Sequence, residues 1–104
     1  MIARIWSGAT TAVDAGEYLE YLRRTGLAGY ARTPGHRNTF TMCRIEQGRA
    51  EFVLLTLWDS MDAIREFAGE DSERAVFYPE DDRFLVARDD RVRHFAVVDH
   101  QPSP

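Results

Sequence analysis

An α+β fold built on a four-stranded antiparallel sheet is predicted by three features of the sequence. Apolar runs rich in β-favouring residues occur at 2–7, 38–46, 51–58 and 92–99, segments with helical spacing follow the first and third, and turn residues punctuate the chain. The resulting order, strand–helix–strand–strand–helix–strand with extra helix after the second, is the ferredoxin-like split β-α-β arrangement. At 104 residues there is room for one domain and one core, assigned to residues 1–100, with Gln101–Pro104 as a loose tail.

Each element has a local reason. Ile2 to Ser7 is short and apolar and forms the first strand. Thr11-Ala12-Val13-Asp14 matches a capping box, and Ala15, Tyr18, Leu19 and Leu22 follow as one helical stripe. Arg23 and Arg24 suit the negative helix end, and Gly26 is expected to close the helix in a left-handed conformation. Leu27 to Gly35, with two glycines and Pro34, reads as a loop carrying Tyr30. From Asn38 to Glu46, Phe40, Met42 and Arg44 alternate with Thr39, Thr41, Cys43 and Ile45. Gln47-Gly48-Arg49 then reads as a hairpin connection. Phe52 to Trp58 is apolar without alternation, which predicts cover on both faces. Asp59 or Ser60 caps a second helix that buries Met61, Ile64, Phe67 and Ala68 and ends at Gly69. A third helical segment is expected over 71–78, stopped by Pro79, before the last strand from Val92 to Asp99.

Composition excludes several classes of function. A net charge of -4 opposes general binding to nucleic acid or anionic membrane. No apolar run approaches the ~20 residues of a membrane span, and no signal-peptide pattern opens the chain, so a cytoplasmic location is expected. The single cysteine, Cys43, forms no internal disulfide and no cysteine-rich zinc site. Two helices cover only one sheet face, and the other is too apolar to leave wet, so the chain is expected to pair with a second copy as a homodimer.

The segment Phe52-Val53-Leu54-Leu55-Thr56-Leu57-Trp58-Asp59-Ser60, followed by Ala63-Ile64-Arg65-Glu66-Phe67, resembles the antibiotic biosynthesis monooxygenase family of the dimeric α/β-barrel superfamily. That family includes cofactor-free oxygenases of aromatic polyketides, quinol oxygenases and haem-degrading enzymes. The haem-degrading members use a first-strand asparagine, a tryptophan on the second helix and a histidine on the next one. On an ungapped match from Trp58 the last two positions fall on Phe67 and Phe77, and the first falls near Ser7 or Ile5. The resemblance therefore implies no haem bound in that manner, although His94 or His36 remain as possible iron ligands, and no cofactor is expected.

The candidate site residues follow from side-chain chemistry. His94 lies mid-strand and is the first choice of base for a phenol or enol, against a simple half-exposed strand histidine. His36 beside Pro34-Gly35 is a weaker candidate, and His100 belongs to the tail. Tyr78 is placed to hydrogen-bond a substrate oxygen, against a core role with its hydroxyl at the surface. Trp6, Tyr30, Phe40, Phe67 and Phe77 are candidates to line an aromatic-accepting cavity, with core packing the alternative for each. Arg4 and Arg44 need partners on a strand: they orient a carboxylate or phenolate or, the favoured reading, pair with acids across the dimer, and Glu80-Asp81-Asp82 reads as a solvated turn. The expected function is cofactor-independent monooxygenation of a phenolic or enolisable aromatic, with molecular oxygen as co-substrate. The alternative is a non-catalytic ligand-binding or haem-handling barrel.

Overall fold

A computed structural model describes residues 1–104. Its order is β1 (Ile2–Thr11), α1 (Ala15–Arg24), α2 (Gly26–Arg32), β2 (His36–Glu46), β3 (Arg49–Trp58), α3 (Met61–Ala68), α4 (Asp81–Phe84), β4 (Ala87–Arg88) and β5 (Arg93–Ala96). The antiparallel sheet runs β2-β3-β1-β4, and β5 pairs with the opposite end of β1 from β4. Four sheet positions are thus filled in ferredoxin-like order, the fourth by a strand broken over 89–92. The expected α+β fold is the observed one. No helix is long and apolar enough to cross a membrane.

Strand register separates the two faces. Trp58, Thr56, Leu54, Phe52 and Ala50 of β3 pair with Ile2, Arg4, Trp6, Gly8 and Thr10 of β1 and face the helices. There they meet Tyr18, Tyr21 and Leu22 of α1, Tyr30 of α2 and Ile64 of α3 in one core. Residues of opposite parity, Ala3, Ile5, Val53, Leu55 and Leu57, point to the far face beside Phe40, Met42 and Phe95. Phe40, Met42 and Phe95 are 51%, 45% and 49% exposed. Within one chain the apolar run 52–58 is therefore covered on one side only.

Local chemistry sets the ends of the elements. Gln47 and Gly48 both adopt positive φ (50° and 75°), the two-residue geometry that matches hairpin twist. The Ser60 side chain accepts the Ala63 N–H, and Gly69 closes α3 at φ 89°. Thr11 Oγ1 accepts the Asp14 N–H at 3.3 Å, but the helix starts only at Ala15.

Three expectations are corrected. Residues 26–32 form helix α2 rather than a loop, and Gly26 opens that helix instead of ending α1. The glycines serve packing: a Cβ on Gly29 would lie 2.9 Å from the Tyr78 hydroxyl and 3.1 Å from the Phe67 ring. Residues 71–78 form no helix, and the only helical turn of this region is α4, after Pro79. Asp81 is no solvated turn residue; it is 5% exposed.

Segment 69–80 instead crosses the helix-side face as an irregular strap. It is anchored by an Arg74–Arg91 bridge, by Ala75 N–H to Asp90 O and by Glu80 N–H to the Tyr21 hydroxyl. An ion pair between Arg91 and Asp71 fixes its start. Between the anchors, neither Val76 nor Phe77 makes a backbone hydrogen bond.

Candidate functional site

The strap borders a cavity of about 30 Å³ between sheet and helices. Trp6, Leu54, Tyr18, Tyr30, Phe77 and Tyr78 supply its mostly aromatic wall, and Arg4 and Asp81 supply its charged groups. Val76 and Phe77 also line an open groove of about 560 Å³ on the outer side of the strap, together with Ala68, Arg74 and Asp90. One unbonded stretch of chain thus separates a solvent-sized chamber from a much larger groove.

Arg4 is the unusual residue of the site. It is 3% exposed on the central strand, and no carboxylate pairs with it. One guanidinium nitrogen donates to the Arg74 carbonyl at 3.1 Å, the plane lies 5.8 Å from the Phe67 ring centroid, and Nε has no partner. Burial lowers its pKa from the ordinary arginine value, and the neighbouring Tyr30 hydroxyl opposes that.

The Asp81 carboxyl is the second charge-bearing group. One oxygen accepts the Tyr78 N–H at 2.6 Å, which ties the strap to α4. Burial pushes this carboxyl above the usual carboxylate range, against the Tyr78 N–H and Arg88, which favour the ionised form. A carboxyl tuned upward accepts a phenolic proton more readily than an ordinary one. Burial raises the Tyr30 and Tyr78 hydroxyls as well, so both stand as protonated donors.

The expected site residues are partly brought together. Trp6, Tyr30, Phe77 and Tyr78 share the cavity wall. The Trp6 indole N–H donates to Asp89 O at 2.9 Å, in the break between β4 and β5. Phe67 stands behind Tyr30, with ring centroids 4.7 Å apart, rather than on the wall. Phe40 is on the far face of the sheet and cannot line a helix-side cavity, because it pairs with Leu55 in the opposite parity. His94 pairs with Arg4 across β5 and β1 and lies outside the lining, so it does not meet Tyr78 there. His36 bonds Thr39 at 2.7 Å and packs edge-on against Trp58. Arg44 pairs with Glu51 and Glu46 of its own chain. Asp81 escaped the sequence reading because its two acidic neighbours made the run look solvated; a carboxylate three residues after Tyr78, beyond Pro79, was the available signal.

Burial, and then the Arg4 charge, lowers the His94 pKa below 6.5, while Glu73 opposes the shift. The neutral imidazole is the form the fold prefers, so its contribution to stability is complete above pH 6.5 and is lost as pH falls through the lowered value. The melting temperature is expected to fall on acidification from pH 7 to about 5, with a smaller slope in His94→Asn. Equal slopes in melting curves of the two proteins would exclude His94 as a source.

Neither a family model nor a curated relative matches the sequence. Solved structures match its fold. A proposed antibiotic biosynthesis monooxygenase of Bacillus cereus superposes with a TM-score of 0.70 at 15% identity, over 100% of this chain and 97% of that one. SnoaB, a cofactor-independent oxygenase of Streptomyces nogalater, gives 0.66 at 18% identity over 98% of both chains. The haem-degrader MhuD of Mycobacterium tuberculosis, with two haems in its active site, gives 0.57 at 18% identity over 98% of this chain and 100% of that one. The chain has the antibiotic biosynthesis monooxygenase fold. At these identities the likeness is one of fold. The cavity lining contains no imidazole or thiolate, so its tyrosines are the only side chains there of a type that ligates haem iron. Phe77 stands where the resemblance would require a histidine.

Proposed function

We propose that the protein is a cofactor-independent monooxygenase that oxidises a phenolic or enolisable aromatic molecule beneath the strap. The observation carrying this reading is one aromatic-walled chamber holding both an upward-tuned carboxyl, Asp81, and hydroxyl donors, Tyr30 and Tyr78. The fold shared with a cofactor-independent oxygenase supports it.

Small-molecule pockets span roughly 300–1,000 Å³, so an aromatic substrate enters by displacing Val76 and Phe77 and opening the chamber toward the outer groove. Asp81 takes the substrate hydroxyl proton, and Tyr78 donates to the resulting oxyanion. The electron-rich ring carbon then adds molecular oxygen, forming a C–O bond and a peroxide. Loss of the ring C–H proton and cleavage of the O–O bond leave a quinone carbonyl, while the second oxygen atom departs as water. The substrate supplies all four electrons that reduce the two oxygen atoms, and Asp81 returns its proton to the departing oxygen, so no external reductant is consumed. His94, the base first expected, stands beside Arg4 on the neighbouring strand, outside the cavity lining, and is assigned no proton transfer.

The same reading includes a homodimer formed through the far sheet face, whose exposed Phe40, Met42 and Phe95 its own chain leaves uncovered.

Oxygen uptake by metal-free protein with anthrols, naphthols and hydroquinones tests the chemistry. Asp81→Asn keeps the acceptor oxygen for Tyr78 N–H and is expected to lower turnover about 10²–10⁴-fold, the usual contribution of a general base. Tyr78→Phe is expected to lose less. An absence of turnover across the panel would sink the proposed reaction, and undiminished turnover in Asp81→Asn would remove Asp81 from it.

A further inference from the structure

We propose that the cavity selects its ligand by charge: it is an anion site, in which the Arg4 guanidinium is the counter-ion of an acidic oxygen on an aromatic molecule. This fixes the ligand's charge class for the function proposed above, and its test reads binding rather than turnover, so the two readings fail separately.

Four observations carry it. Arg4 is 3% exposed and lines the cavity. Its charge is not balanced, since no carboxylate of the chain forms an ion pair with it. Its only hydrogen bond to the protein backbone is to the Arg74 carbonyl of the strap, and Nε is left without a partner. Its cross-strand neighbour His94 also has a buried ring nitrogen, Nε2, without a partner.

Guanidinium stays charged at any physiological pH, so this position cannot shed its charge as a buried lysine would. Neighbouring groups do not replace the missing anion. The Tyr30 hydroxyl is a hydrogen-bonding neighbour of the guanidinium but stays protonated and supplies no charge, Phe67 presents a ring, and the neutral imidazole of His94 has no charge to give. Asp81 lines the same cavity without pairing to Arg4. A planar guanidinium with a free N–H matches a carboxylate or an ionised aromatic hydroxyl, and the surrounding rings match the body that carries it. Because the Arg4–Arg74 bond also latches the strap, a ligand that displaces the strap exposes the charge at the moment it can use it.

Calorimetric titration of the wild-type protein at pH 7 with benzoate, its neutral isostere benzamide, and phenol separates the outcomes. Benzoate binding at least about tenfold tighter than benzamide identifies a carboxylate site. Phenol bound as phenolate, read from its ultraviolet difference spectrum whether the proton goes to Asp81 or to buffer, identifies an ionised-hydroxyl site. Arg4→Gln is expected to abolish either signature, and Arg4→Lys to retain part of it. The proposal is overturned if benzamide binds as well as benzoate and phenol binds as the neutral phenol. It is likewise overturned if none of the three binds, or if folded Arg4→Gln keeps the preference. Should Arg4→Gln fail to fold, the wild-type comparison decides alone.

Discussion

Arg4→Met is expected to yield a more stable protein that no longer binds anionic ligands. Holding an unpaired charge at 3% exposure costs the fold several kcal/mol, and thioether packing of similar length removes that cost. Replacing buried ionic groups by apolar residues stabilises proteins by up to about 1–4 kcal/mol. For a domain of this size each kcal/mol raises the melting temperature by roughly 4–8 °C. The variant removes the donor to the Arg74 carbonyl and the charged neighbour of the Tyr30 hydroxyl, which offsets part of that gain. Thermal melting with benzoate titration checks both halves. A melting temperature below wild type would mean that Arg4 is compensated within the folded chain, and the case for an anion site would weaken with it.

The far sheet face supplies the second large effect. Phe40 and Leu55 are cross-strand partners there, and Met42 pairs with Val53. Light scattering is expected to show a homodimer for wild type and a monomer for Phe40→Glu combined with Phe95→Glu. Each large apolar side chain buried contributes roughly 1.5–3 kcal/mol, and every substitution counts twice in a symmetric dimer. The pair of changes should therefore weaken association by far more than a hundredfold. Both positions are about half exposed in the single chain, so the monomer fold should survive. A wild-type monomer at micromolar concentration would remove the paired architecture and leave the cavity intact, because no cavity residue points to that face.

Much of the fold was legible because it rests on periodicity. The β3 run and its hairpin, the α1 stripe and the Ser60 cap are local patterns with local causes. The misreadings share a different cause. Gly26 and Gly29 look like loop residues, yet both sit in α2, where Tyr78 and Phe67, nearly 40 or more positions away in sequence, leave no room for a side chain at Gly29. Residues 71–78 carry helix-compatible spacing, but the Arg4 guanidinium and the Asp90 carbonyl take up strap groups in bonds that no helix would allow. The cavity was legible only as a set of aromatics. Trp6, Tyr30, Phe77 and Tyr78 were readable; the exclusion of Phe40 depends on strand parity, and the burial of Asp81 depends on the strap's path. The importance of Arg4 lies in what it lacks, an acid within reach, and only the packed structure reveals that.

The central claim is that the chamber beneath residues 75–78 receives the ligand. The Trp6 indole N–H, bonded to Asp89 O beside that chamber, is a single resolved reporter in a two-dimensional ¹H–¹⁵N spectrum, as Trp58, bonded to Thr56, supplies the internal control. Titration with a naphthol is predicted to move the Trp6 indole signal and the Val76 and Phe77 amides while Trp58 stays in place. Shifts confined to Phe40, Met42 and Phe95, on the opposite side of the sheet, would contradict it.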